Sequence, residues 1–182
     1  MASRDEEFTR FFNEFYPSLC RFLDCLLGGR GGSATAAQDI AQETFLQLHR
    51  TGFDNLPREE ARFWLFRVGR NLCLNELNRR QTRHRLFDQV VNAFRAHVPG
   101  PEEEFEMTER KERVLEMLGH LPEGQRAALL LREQEEMSYR EIAAVLGVTE
   151  AKIKVDVFRA RTSLRERWAR KQGAVAARGQ VG

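Results

Sequence analysis

Between Arg58 and Arg85 eight arginines (58, 62, 67, 70, 79, 80, 83 and 85) stand against only Glu59, Glu60 and Glu76, and the same stretch carries Phe63, Trp64, Phe66, Asn71 and Asn75. Guanidinium groups hold phosphates and aromatic faces stack on unpaired bases, so aromatic and amide groups over a basic surface suit single-stranded nucleic acid. Trp64, in helical register with Leu65 and Val68, equally suits a hydrophobic core, which is the commoner role for that spacing.

A second pattern lies nearer the C-terminus. Ser138-Tyr-Arg-Glu141 has the S-x-x-E form of a capping box opening the short helix Ile142 to Leu146; Gly147 ends it, and Thr149 can cap a long basic helix to about Arg170. This is the order of a helix-turn-helix, whose second helix enters the major groove of duplex DNA with its N-terminal residues against base edges. The outward candidates are Lys152, Lys154, Val155, Phe158 and Arg159. Ile153 and Val157 are spaced to face the core, while Arg161, Arg165 and Arg167 suit contacts to the DNA backbone. Arginine-rich helix ends also serve merely to favour the helix dipole. Capping box, glycine turn and basic helix in that order point instead to DNA.

Enzymatic readings have little support. Asp39 and Glu43 stand one turn apart, but no histidine accompanies them, and His49, His84, His97 and His120 form no ligand spacing. The chain has no G-x-S-x-G nucleophile motif, and the run Gly28 to Gly32 lacks the G-K-[ST] ending of a phosphate loop. Cys20, Cys25 and Cys73 are an odd set without a C-x-x-C pair, which reads as buried free thiols. No metal, cofactor or catalysis is expected.

The 182 residues carry a net charge of +2, with 42% hydrophobic and 31% charged side chains, the profile of one globular domain or two small ones. No apolar run is longer than the five residues Ala127 to Leu131, far from the roughly 20 residues that span a bilayer. With no basic-then-apolar opening, a cytoplasmic protein without membrane insertion is expected. Charge is unevenly spread: residues 1–80 balance at 11 basic and 11 acidic, 87–136 hold 6 basic against 12 acidic, and 137–182 hold 10 against 4. An anionic polymer would attract the basic end and repel the acidic middle.

The elements that must position these residues read as helices throughout, with no period-two strand run, so the fold class is all-α. Phe8, Phe11, Phe12, Phe15, Leu19, Phe22, Leu23 and Leu26 make one stripe, interrupted at most locally by Pro17. Residues 34–49 make a second helix with Ala37, Ile40, Ala41, Thr44, Phe45 and Leu48 inward and Asp39, Gln42 and Glu43 outward. Pro57 suits the start of a third, running to about Arg80. Phe87, Val90, Val91 and Phe94 suit a short helix, followed by a linker through Pro99-Gly-Pro101 and Glu102 to Glu104. A further stripe begins near Met107 with Val114, Leu115 and Leu118, then an apolar helix over residues 126–132. The expected division is a first domain over 1–85, a linker over 86–107, a second domain over 108–172 and a disordered tail over 173–182.

In this order the residues resemble an extracytoplasmic-function (group 4) sigma factor, the promoter-specificity subunit of bacterial RNA polymerase. Asp39-Ile-Ala-Gln-Glu-Thr-Phe-Leu46 resembles the region 2.2 motif that docks on the clamp helices of the polymerase β′ subunit, which implies core-binding roles for Asp39, Gln42 and Glu43. Phe63 through Arg80 resembles regions 2.3 and 2.4, which hold the non-template strand of the minus-ten element. The resemblance implies minus-ten contacts by Trp64, Arg67, Arg70, Asn71, Asn75, Arg79 and Arg80, with Asn71 in the pocket for a flipped base. The loop Thr51 to Arg58, with Phe53, would complete that pocket. Leu121-Pro-Glu-Gly-Gln-Arg126 through Arg161 resembles region 4, which touches the β flap and reads the minus-thirty-five element as duplex. Arg132, Lys152, Lys154, Val155, Phe158 and Arg159 would face it. The family commonly has Asp at the position of Asn75 and Ser-Arg at Val155-Asp156. Asp156 would then stand near DNA phosphates, or would instead pair with Lys152, Arg159 or another basic neighbour, or accept from a cytosine amino group. The resemblance also implies an anti-sigma partner and a monomer when free.

Two other classes remain open on the sequence: a conventional helix-turn-helix repressor or activator, dimeric on a palindrome, and an interaction protein whose helices bind protein. An RNA-binding regulator rests only on the aromatic-basic helix.

Overall fold

The computed structural model describes residues 4–28, 33–88 and 113–178, and these contain no strand. Helix α1 spans Arg4–Leu27, α2 spans Ser33–Thr51, a 3₁₀ turn covers Phe53–Asn55, and α3 runs Arg58–Asp88. Residues 113–119 form α4; α5 is Glu123–Glu133, α6 is Tyr139–Leu146 and α7 is Glu150–Arg178.

The N-terminal three helices pack mutually through the stripes read from the sequence. Phe11, Leu19, Phe22, Leu23 and Leu26 of α1 meet Ala37, Ala41, Phe45 and Leu48 of α2 and Ala61, Leu65 and Phe66 of α3, all buried. Asp5, Glu6 and Glu7 occupy the first turn of α1, where carboxylates oppose the positive end of the helix dipole. Pro17 does not break α1; Pro17 and Asn13, whose carbonyl loses its donor, are both exposed. At Gly69 a Cβ would meet Leu19 Cδ1 at 3.0 Å, so the missing side chain sets how closely α3 approaches α1.

In the second group α5 and α6 both pack on α7. Buried Leu130, Leu131, Met137, Ile142, Val145, Ile153, Val157 and Ala160 form this part of the core. In α4, Leu115, Met117 and Leu118 are buried, whereas Val114, expected inward, is exposed. The capping box of α6 is present in both halves: Glu141 N–H donates to Ser138 Oγ at 3.3 Å, and Ser138 N–H donates to Glu141 Oε2 at 2.6 Å. Gly147 closes the helix in the left-handed region at φ 68°, and Lys152 N–H donates to Thr149 Oγ1 at 3.3 Å to start α7. Replacing Ser138 by Ala should lower stability by about 1 kcal/mol, read by thermal melting of the whole chain.

The hydrogen bonds from Ser138 hold the Glu141 carboxyl below its ordinary value. A depressed carboxylate contributes stability above its unfolded pKa and loses it as pH falls through the lowered one, so this cap weakens in acid.

Two boundaries differ from the spacing. The third helix continues from about Arg80 to Asp88, taking in Phe87; residues 89–94 of the expected short helix lie outside the described residues. Helix α7 continues to Arg178, through the start of the segment expected to be a disordered tail. Ala174, Ala176 and Ala177, read as having no packing pattern, are strong helix formers that extend a helix already nucleated.

Candidate nucleic-acid interface

Three helical faces carry the residues singled out in the sequence. On α2, Asp39 and Gln42 are exposed and Glu43 half-buried, with Leu46, 51% exposed, one turn further on. Gln47 donates to Glu43 Oε1 at 2.9 Å. Gln42 hydrogen-bonds Tyr16, whose phenol pKa is nevertheless raised, chiefly by burial. Beside this row, Phe8, Phe12, Phe45, Leu46 and His49 line an open groove of about 540 Å³. Leu46 was not singled out by sequence reasoning, although its position three and four residues after Glu43 and Gln42 places it on their face.

On α3 the aromatic residues separate. Phe66 is fully buried, edge-on to Phe22 with ring centroids 5.4 Å apart, so it belongs to the core and not to a stacking surface. Trp64 and Phe63 are half-buried against the core. Phe53 is half-buried too, its ring 4.9 Å from Phe11 and 5.4 Å from Phe8. Asn71, Asn75 and Arg79 are exposed, and Arg80 is tied to Glu76 at 2.8 Å.

Arg67 and Arg70 do not stand free. Arg70 donates from Nε and Nη2 to the two carboxylate oxygens of Glu123, both at 2.7 Å. Arg67 donates to the carbonyl of Ala144 in α6. One turn earlier Arg62 donates to the Glu135 carbonyl at 2.5 Å and lies 3.9 Å from its carboxylate. Glu135 is buried and also accepts from Ser18 Oγ of α1. Arg126 donates to the carbonyl of Leu26 at 2.9 Å, filling an acceptor at the end of α1. The acidic middle segment therefore supplies counterions to the basic face of α3.

On α7 the expected sides are found. Lys152, Lys154, Val155, Phe158 and Arg159 are exposed, while Ile153 and Val157 are buried. Asp156 follows the alternative of pairing with Lys152 and not that of an acid near DNA phosphates. It lies three residues after Ile153, on the inward stripe, and is only 5% exposed, held by Lys152 Nζ at 2.7 Å. Lys154 pairs with Glu150 at 2.8 Å and Arg161 with Glu133 at 2.5 Å. Arg132 is half-buried; its guanidinium donates to the Met137 carbonyl at 2.8 Å and lies 5.1 Å from the centroid of the Tyr139 ring.

The three cysteines are free thiols; Cys73 is buried, and Cys20 and Cys25 are half-buried rather than enclosed as expected. Burial pushes the Cys73 thiol up to about 12 and raises that of Cys20. In native protein at pH 8, maleimide should label Cys73 more than about a hundredfold slower than unfolded chain, because the reactive thiolate is scarce and shielded.

Residues 11–83 match the family Sigma-70 region 2, and residues 111–164 match Sigma-70, region 4. The extracytoplasmic-function sigma factor SigM of Bacillus subtilis is 27% identical over 164 residues, covering 88% of this chain and 92% of SigM. The sigma-H factor of Pseudomonas aeruginosa is 32% identical over 142 residues, 72% of each chain. The sigma factor RpoE of Bartonella quintana, solved in complex with the anti-sigma factor NepR, shares the fold. Its TM-score is 0.67 at 24% identity, over 88% of this chain and 95% of that one. The chain belongs to the sigma-70 family, within its extracytoplasmic-function group. It is an RNA polymerase sigma factor acting in transcription initiation. That family regulates transcription, and among the described residues no helix is long and apolar enough to cross a membrane.

Proposed function

We propose that this sigma factor binds core polymerase through Asp39, Gln42, Glu43 and Leu46 of α2. It recognises the minus-thirty-five element as duplex through the outward face of α7. It captures the separated minus-ten strand on α3, with Asn71 at the flipped base and Trp64, Arg67, Arg70, Asn75, Arg79, Arg80 and Phe53 around it. The observation that carries the reading is Phe158. A phenyl ring 70% exposed, among Lys154, Val155 and Arg159 on the helix that follows a capped turn, has no packing role and suits apolar contact with a base edge. The protein acts in the cytoplasm, where polymerase is, as a monomer when free and without chemistry of its own. Promoter affinity arises when polymerase fixes both DNA-binding units at one spacing. A protein antagonist of the anti-sigma kind is a further partner, on the analogy of the NepR complex of the Bartonella relative.

The test is transcription from fragmented source-organism DNA by purified core polymerase with and without the protein, with RNA start sites sequenced. Discrete new starts sharing two upstream elements are expected. No new starts with active core, and no complex with core in a pull-down, would overturn the reading.

A further inference from the structure

The turn between α2 and α3 is closed by its own backbone. Gly52 takes the left-handed region at φ 91°, and the N–H groups of Asn55 and Leu56 donate to the carbonyls of Gly52 and Phe53 at 3.0 and 3.1 Å. Both ends of the turn then rest on one buried ring of α1. The Phe53 ring lies 4.9 Å from that of Phe11, and the Arg58 guanidinium, at the other end, lies 5.6 Å from the centroid of Phe11. Arg58 also stands 5.7 Å from the Phe15 ring and pairs with the Glu14 carboxylate.

Local stereochemistry does not call for an arginine here. Residue 58 opens α3, where a cation opposes the helix dipole and the next two residues, Glu59 and Glu60, are the acids that the dipole favours. What holds Arg58 is a seat on α1, since Phe11, Glu14 and Phe15 are spaced three and four residues apart on one face of that helix. The pair is half-exposed on both sides, and an exposed ion pair adds little to global stability. Its effect is therefore local: with Phe53 it leaves the residues between them no freedom to swing away from α1.

We propose that Arg58 and Glu14 are positioning residues for minus-ten recognition. The pair straps the turn over residues 52–57 to α1 and so fixes the wall that completes the base pocket, without either side chain touching DNA. Selectivity needs such a wall, because a wrong base is rejected by the polar groups it leaves unpaired, and a wall that shifts can follow the wrong base. The proposal rests on the reading of this turn and Asn71 as the pocket for a captured base.

Its test is single-round transcription by holoenzyme from one promoter, found by start-site sequencing, and from its single-base variants across the minus-ten element. The quantity read is the ratio of rates between the best and the worst base at the most selective position. Arg58→Ala and Glu14→Ala should each lower that ratio by about fivefold, the low end of what one captured base is worth. Arg58→Lys, which keeps a cation over the rings and within reach of Glu14, should stay within about twofold of wild type. A guanidinium that instead bound phosphate would behave differently: Arg58→Ala would slow every template alike, and Glu14→Ala, by freeing the arginine, would speed them. Either of those results, or an unchanged ratio in both alanine variants, overturns the proposal. Glu14→Ala places the best helix former at an exposed helix position, so it keeps the test open should Arg58→Ala fold poorly. Asn71→Ala separates the two readings. If it too leaves the ratio unchanged, the pocket assignment fails and the strap falls with it; if it collapses the ratio while the other two do not, the strap alone is lost.

Discussion

Holoenzyme carrying Asn71→Ala is expected to initiate from a fully paired promoter at least about fivefold more slowly than wild type, since contacts to one captured base are worth roughly 1–3 kcal/mol. Asn71 is exposed on α3, one turn before Asn75 and two before Arg79, so its loss removes the proposed contact to DNA without opening a cavity. On a template whose minus-ten segment is already unpaired by mismatches, the deficit should shrink to within about threefold, because strand separation no longer depends on the trapped base. Single-round transcription on the two templates measures both. Equal losses on both would place Asn71 in folding or polymerase binding and remove it from strand capture.

Phe66→Ala should destabilise the N-terminal helices by about 3–5 kcal/mol, the range for emptying a buried aromatic site. Phe66 is fully enclosed, with the Phe22 ring edge-on at 5.4 Å, and no neighbour can turn into the space without abandoning its own packing. Trp64→Ala, two residues away and half-buried, should cost much less stability but reduce promoter opening, since its exposed part lies on the side assigned to DNA. Urea unfolding paired with transcription assays separates the two variants. If Trp64→Ala were as unstable as Phe66→Ala, the tryptophan would be core and its place in the DNA surface would be lost.

That contrast shows where the sequence was readable. Helix stripes with a strong apolar side, such as Phe8 to Leu26, located their own inward faces, and the capping box at Ser138 and glycine at 147 located the turn before α7, because each rests on local stereochemistry. Helix α3 was harder. Arginines surround it and aromatics lie on more than one side, so residue type suggested one aromatic-basic surface, whereas the 3.6-residue period puts Phe66 one turn before Gly69 and two before Cys73, both buried. Asp156 is the same lesson: its position three residues from Ile153 was inward, and its charge drew attention outward. The pairing of Arg70 with Glu123 was not legible, since 53 residues separate them and spacing within one helix carries no information about which helix lies across from it. The acidic middle segment was visible as a charge imbalance; its partner was not.

With Asp156 turned inward and Glu150 held by Lys154, the outward face of α7 over residues 150–159 offers cations and hydrocarbon and no unpaired carboxylate. Guanine presents acceptors in the major groove and thymine a methyl group, both of which such a face can meet, whereas the exocyclic amine of cytosine requires an acceptor. On the proposed reading by α7, cytosine would be sensed through the guanine on the opposite strand, so the carboxylate the helix hides narrows its alphabet as firmly as the groups it displays.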